Sequence, residues 1–106
     1  MIADILDHIE NEYPKEACGL IVDNKGEQKW IPCRNVAEEP EEEFVIESVE
    51  FIKAQIESKI LKIVHSHPNG TCEPSEHDRK ACNFIKIPYM IISWPDGDIK
   101  EILPNE

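Results

Sequence analysis

The chain has 106 residues, of which 41% are hydrophobic and 31% are charged, and its formal net charge at pH 7 is -11. This length and composition predict a single globular domain over residues 1–106 and exclude disordered and fibrous classes of protein. The negative charge would repel both a phosphate backbone and an anionic lipid surface, so neither nucleic acid nor a membrane is expected as a partner.

The ends and the cysteines of the sequence favour a soluble cytoplasmic protein. The segment 1–4 contains an acid and lacks the basic region of an export signal, and no apolar run reaches the length of a membrane span. None of the four cysteines forms a Cys-x-x-Cys pair, so reduced thiols are the default expectation. Cys72 and Cys82 flank the motif described below, and two alternatives stay open for them, a disulfide or a further metal ligand.

The first third of the chain predicts a helix followed by a hairpin. Residues 2–12 place apolar side chains at the spacing of one helical face, and Pro14 marks the end of that helix. The apolar run 17–22 and the segment 27–33 flank the turn-forming residues 23–26, which predicts a β-hairpin.

The middle of the chain predicts a loop, a helix and a buried strand. The acidic run 38–43 is typical of a solvated loop, with guidance of a basic substrate as the alternative, and it leads into a short predicted strand at 44–46. Ser48 is a candidate cap for a second helix, whose apolar residues share one face. The apolar run 60–64 predicts an interior strand.

The last third predicts a helix and a second hairpin. Ser75 and Asp78 have the spacing of a capping box, in which each side chain satisfies the backbone N–H of the other at a helix N-terminus. An apolar run at 89–94 and a partner at 99–103 flank the turn 95–97. The complete order predicts a mixed sheet covered by helices, in an α/β or α+β sandwich.

One constellation suggests metal chemistry. His65 and His67 are two residues apart at the end of the interior strand, so their imidazoles can point to the same face and suit Zn²⁺. The loop 68–74 can return the chain so that Asp78 supplies a third ligand, which leaves a fourth position for water, as in catalytic zinc sites. Either feature alone has an ordinary explanation, since paired histidines are often only hydrogen-bonded and Asp78 is accounted for by the capping box.

The residues alone leave the general base open among twenty-two acidic side chains. However, the pattern His-x-His, seven residues, Ser, two residues, Asp resembles the JAMM (MPN-plus, JAB-type) zinc metallopeptidases. The upstream stretch 14–20 is similar to that family's first-strand motif, which places the catalytic glutamate at Glu16, with Glu12 and Glu47 as alternatives if the alignment is shifted.

The resemblance covers nearly the whole chain and carries several expectations. It implies a cytidine-deaminase-like three-layer α/β/α sandwich with a central mixed sheet. It also implies zinc on His65, His67 and Asp78, with Glu16 as general base and Ser75 stabilising the oxyanion. The expected reaction is hydrolysis of a peptide or isopeptide bond in a protein or peptide substrate by a zinc-activated water.

A narrower resemblance connects residues 72–95 with tail-tip assembly proteins of long-tailed phages, which carry a JAB domain. This likeness offers two alternatives to a peptidase of the cytoplasm, a phage tail assembly factor that acts at the virion tail or a catalytically silent MPN-type scaffold. Substrates from ubiquitin-like conjugates to phage structural proteins are compatible with the sequence, and the oligomeric state stays open. Nucleobase deaminases and thermolysin-like enzymes are excluded, because neither His-x-Glu with Pro-Cys-x-x-Cys nor His-Glu-x-x-His occurs.

Overall fold

The computed structural model describes residues 1–105, which form three helices and one five-stranded sheet. The elements are α1 (Ile2–Glu12), β1 (Cys18–Asn24), β2 (Glu27–Cys33), α2 (Ser48–Glu57), β3 (Lys59–His67), α3 (Glu76–Ile85), β4 (Tyr89–Ser93) and β5 (Ile99–Ile102). The strand order is β2-β1-β3-β4-β5, in which β3 and β4 are parallel and the other neighbours antiparallel. The predicted mixed sheet is therefore confirmed.

Helices cover both faces of the sheet. On one face, Ile5 and Ile9 of α1 pack in a cluster with apolar residues of β1, β3 and β4. On the other face, Ala54 of α2 and Cys82 of α3 pack in a second cluster with Leu20 of β1. Burying an apolar stripe of each helix on the sheet produces the predicted three layers, which confirms the α/β fold class.

The central strand β3 positions the predicted histidines. Because side chains alternate along a strand, Ile63 belongs to the cluster beneath α2 and α3 whereas Val64 belongs to the cluster beneath α1. His65 is paired with Cys18 of β1 and also with β4, and His67 is paired with Ser93 of β4. Both imidazoles therefore project from a hydrogen-bonded ladder, on the face that carries α2 and α3.

The N-terminus of α3 has the predicted capping box. The Asp78 N–H donates to Ser75 Oγ at 3.0 Å, and the Ser75 N–H donates to Asp78 Oδ2 at 3.0 Å. These reciprocal bonds satisfy two backbone N–H groups that lack partners within the helix, and they fix the direction of the Asp78 carboxylate.

Two local predictions are wrong. Residues 44–46 do not form a strand, and Ile46 makes only an isolated bridge with Asn35. The side chain of Asn35 instead accepts a hydrogen bond from the Val45 N–H at 3.0 Å, so the segment is held as a loop. The cap of α2 is Glu47 rather than Ser48, and its carboxylate accepts from the first backbone N–H groups of the helix, where negative charge is favourable.

The apolar residues of α2 divide between the core and the surface. Ala54 is 3% exposed and Phe51 packs against the core, whereas Val49, Ile52 and Ile56 are between 52% and 79% exposed. The face shared by these three residues is thus directed mainly to solvent. Among residues 1–105, no helix combines the length and the apolar character needed to cross a lipid bilayer.

Candidate metal centre

Three of the predicted site residues converge where β3 ends and α3 begins. Asp78 Oδ1 lies 3.1 Å from His65 Nε2, and Asp78 Oδ2 lies 3.1 Å from His67 Nε2. Ligands about 2.0–2.1 Å from a tetrahedral zinc are separated from one another by about 3.3 Å. The spacing of the two imidazoles from the carboxylate therefore fits the donor set of a zinc site.

His65 occupies an apolar pocket that keeps its imidazole neutral. Its ring stacks on Phe44 with centroids 4.3 Å apart and meets the edge of Tyr89 at 5.6 Å. Burial lowers the pKa of His65, so the ring retains a nitrogen lone pair. Neither ring nitrogen makes a geometrically sound hydrogen bond within residues 1–105, although Nε2 is close to Asp78. A buried ring nitrogen without a hydrogen-bond partner is suited to bind a metal ion, which would take the place of that partner.

A backbone carbonyl orients His67. Its Nδ1 lies 3.0 Å from the carbonyl oxygen of Thr71, and because a carbonyl only accepts, Nδ1 carries the hydrogen. The neutral ring then has its lone pair on Nε2, which is the nitrogen that faces Asp78. Burial lowers the pKa of His67, but Asp78, through its negative charge and the hydrogen bond that Nε2 donates to it when the ring is protonated, outweighs burial and raises the pKa above its ordinary value.

Asp78 is held in its ionised form. Burial acts to raise its pKa, but the adjacent imidazoles of His65 and His67 and the N–H of Ser75 outweigh burial and hold the pKa well below its usual range. A carboxylate with 5% of its residue surface exposed is thus charged and directed toward the two histidines.

Glu16 lies beside the two histidines in the segment that connects α1 to β1. A carboxylate oxygen of Glu16, a ring nitrogen of His65 and a ring nitrogen of His67 all lie within 4.8 Å of one another. The segment is fixed to β3, because the Ala17 N–H donates to Ser66 Oγ at 2.8 Å and the Ser66 N–H donates to the Ala17 carbonyl at 3.0 Å. Burial raises the pKa of Glu16 to about 7, although its proximity to His67 acts in the opposite direction.

The other predicted site residues are distributed as follows. Ser75 lines the same cavity as Glu16, and its oxygen accepts the capping bond from Asp78, so its hydroxyl hydrogen is free to donate. Glu47 caps α2 and Glu12 ends α1, and neither belongs to the metal-ligand cluster described above. No disulfide joins Cys72 to Cys82 within residues 1–105, so the pairing considered from the sequence is absent there.

A cavity of about 600 Å³ opens over Glu16 and His67. Two features of its surroundings carry no local sequence signal, the stacking of Phe44 on His65 and the carbonyl of Thr71 on His67. The acidic run is also part of the wall, since four of its glutamates line the cavity, although a purely solvated loop was the first expectation. No local signal in the run indicates this position, because its high charge is typical of a solvated loop.

The sequence profile described as "Prokaryotic homologs of the JAB domain" matches residues 1–102. The chain belongs to this family, and the recognition of a JAB-type domain from the sequence is confirmed.

Particular relatives differ in role. The chain is 38% identical over 101 residues to tail tip assembly protein K of Escherichia phage N15, a match that covers 95% of the chain but only 42% of that relative. It is 32% identical to a probable TtuB-protein conjugate cleaving protease of Thermus thermophilus, over 92% of the chain and 68% of the relative. The solution structure of protein DSY2949 from Desulfitobacterium hafniense has a TM-score of 0.73 and 26% identity, covering 96% of this chain and 75% of that one.

Proposed function

We propose that the protein is a zinc-dependent hydrolase of peptide or isopeptide bonds, acting through one JAB domain over residues 1–106. The single observation that supports this most is the position of the Asp78 carboxylate, 3.1 Å from Nε2 of both His65 and His67, with Glu16 alongside. A charged carboxylate and two imidazole nitrogens form a three-ligand set of the kind that holds catalytic zinc. The family membership is consistent with this chemistry.

In this proposal, His65, His67 and Asp78 hold the zinc ion. Zinc supplies a Lewis acid that polarises a carbonyl and brings the pKa of water near neutrality. The stacked ring of Phe44 and the carbonyl of Thr71 keep the two imidazoles oriented, since ligand histidines depend on such neighbours for their geometry.

Glu16 acts as the general base and later as the proton donor. A carboxyl group with a pKa of about 7 in the metal-free chain can both accept and return a proton near neutral pH. Zinc would favour the ionised carboxylate and lower that pKa. During attack on the carbonyl, the Ser75 hydroxyl donates to the developing oxyanion. The proton that Glu16 took from the water then passes to the leaving amine as the C–N bond breaks.

The phage relative supports a second candidate function, in tail assembly. Tail tip assembly protein K of phage N15 matches 95% of the chain, but the chain spans less than half of that relative's length. In this alternative the chain associates with tail proteins at the virion, either as a peptidase that cleaves one of them or as a silent scaffold. The presence of a complete candidate ligand set in one place favours the peptidase form over the scaffold.

Hydrolysis can be tested before any substrate is identified. The zinc-supplemented protein is incubated with a proteome-derived peptide mixture in ¹⁸O-labelled water, and new carboxyl termini are detected by mass spectrometry. We expect labelled termini that disappear when zinc is chelated. Glu16→Gln should reduce their rate of formation by at least about 100-fold, as loss of a general base does, while retaining zinc.

The matched control is Glu12→Gln, which removes a carboxylate nearby in the sequence but outside the cluster. It should keep the wild-type rate. Labelled termini that persist at the wild-type rate in Glu16→Gln, or that survive chelation, would contradict the proposed mechanism.

A further inference from the structure

The wall of the cavity beside the metal centre is strongly acidic. Six glutamates and one aspartate line it, together with neutral residues and two histidines, whereas no described lysine or arginine does. The glutamates are Glu16, Glu39, Glu41, Glu42, Glu43 and Glu73. The protein itself supplies one example of how such a carboxylate is neutralised, since Lys100 Nζ reaches Glu73 at 3.2 Å from the neighbouring strand β5.

The acidic run 38–43, called the acidic loop from here on, is anchored by hydrogen bonds of its backbone. The Pro40 carbonyl accepts from the Glu16 N–H at 2.6 Å, and Asn35 Nδ2 donates to the carbonyls of Glu16 and Glu43 at 2.9 and 3.0 Å. A turn closed by hydrogen bonds to the Glu39 carbonyl completes the loop. The loop carboxylates are therefore presented at the cleft beside Glu16 and are not distributed over an unconstrained chain.

The cavity also contains a buried polar group that has no partner. Glu16 is only 7% exposed, and its carboxyl group makes no hydrogen bond to any other side chain or backbone group within residues 1–105. Like charge is crowded at the rim as well, since Glu39, Glu41, Glu42 and Glu43 all line it. A hydrogen bond with Glu42 and the negative charge of Glu42 both raise the pKa of Glu39. A ligand that brings positive charge or hydrogen-bond donors into the cleft would give Glu16 a partner and reduce the repulsion between the carboxylates at the rim.

The shape of the cleft favours a peptide over a small ion. A cavity of about 600 Å³ lies in the range that holds extended organic ligands, and Phe44 and Pro68 add apolar surface to its acidic lining. Lysine and arginine combine an apolar stem with a charged end, so they match such a mixed surface.

We propose that this cleft selects polypeptide substrates carrying lysine or arginine next to the bond that is cut. The inference rests on the proposed hydrolase function and assigns the acidic loop, chiefly Glu39, Glu41 and Glu42, as the residues that determine specificity. The carboxylates raise the local concentration of cationic segments and hold them where Glu16 and the metal ligands converge.

Binding of paired peptides tests the proposal. A fluorescein-labelled nonapeptide with three lysines and its twin with three norleucines are titrated with the purified full chain by fluorescence anisotropy. Wild-type protein is compared with the triple variant Glu39→Gln, Glu41→Gln, Glu42→Gln. The control variant is Glu10→Gln, Glu27→Gln, Glu57→Gln, which changes net charge equally at exposed positions away from the cleft.

We expect the lysine peptide to bind wild-type protein about tenfold more tightly than the norleucine peptide, since three exposed ion pairs together contribute about that factor. The acidic-loop variant should lose about tenfold, the control variant less than about threefold, and added salt should weaken the interaction. The proposal would be overturned if both variants lost the same affinity for the lysine peptide, or if the lysine and norleucine peptides bound equally well. It would also be overturned if the lysine peptide did not bind at millimolar protein.

Mass spectrometry of the same samples separates this inference from the function on which it rests. Selective binding of the lysine peptide without cleavage would support the cleft assignment and count against the hydrolase. Equal cleavage of the lysine and norleucine peptides would support the hydrolase function and overturn the proposed selectivity for cationic substrates.

Discussion

The buried carboxyl group of Glu16 should make the stability of the metal-free protein depend on pH in a specific way. Its pKa is about 7 in the folded chain because of burial, compared with an ordinary value of 4.5. Below pH 4.5 the group is protonated in both the folded and unfolded states and has no effect on stability. Between pH 4.5 and 7 the folded chain keeps a proton that the unfolded chain releases, so the free energy of unfolding falls as the pH rises and levels off once the buried group itself ionises above about 7.

The magnitude follows from the difference between the two pKa values. A difference of about 2.5 in pKa corresponds to about 3.4 kcal/mol, and a discount for the side of the carboxyl that faces the cleft leaves about 2 kcal/mol. Glu16→Gln keeps the shape of the neutral acid and cannot ionise. The variant should therefore gain about 2 kcal/mol of stability relative to the wild type as the pH rises from about 4.5 to about 7.5.

Urea denaturation in the presence of a chelator, at half-unit steps of pH, measures this difference. Glu57→Gln, which removes an exposed carboxylate on α2, is the control and should follow the wild-type curve. Added zinc should reduce the difference, because a divalent cation beside Glu16 favours its charged form. Parallel curves for the wild type and Glu16→Gln without metal would refute the view that burial controls this carboxyl group.

Three further perturbations have defined outcomes. Ser75→Ala removes the acceptor of the capping bond and should cost about 1 kcal/mol in urea denaturation, with or without zinc. Gly19→Ala would place a methyl group 2.5 Å from the Ile31 carbonyl oxygen and against the Trp30 indole, and thermal unfolding should show a loss of at least about 2 kcal/mol. Iodoacetamide at pH 8 should label the native chain once, at Cys72, because the other thiols are buried; mass spectrometry should find four labels after unfolding in urea.

The order of the elements could be predicted because their signals are local. The apolar period of residues 2–12, the turn residues at 23–26 and the capping box of Ser75 and Asp78 each specify a short piece of backbone, and each agrees with the fold. The pair His65 and His67 could be placed on one face for the same reason, since alternation along a strand needs no knowledge of tertiary structure.

The failures of prediction involve contacts between distant segments. Residues 44–46 have a strand-like composition, but Asn35 takes up the backbone groups that a strand would pair. The same asparagine fixes the acidic loop beside Glu16, so a run that is typical of solvated loops becomes part of the cavity wall. The stacking of Phe44 on His65 depends on that placement, and composition alone could not indicate it.

The metal itself gives the most direct test of the central claim. Zinc is measured by elemental analysis of the purified wild-type chain and of His65→Ala, His67→Ala and Asp78→Asn. His77→Ala is the matched control, because His77 is adjacent to Asp78 but exposed. We expect about one zinc per chain in the wild type and the control, and little in the three ligand variants. Equal zinc in all five proteins, or none in the wild type, would contradict the proposed metal centre.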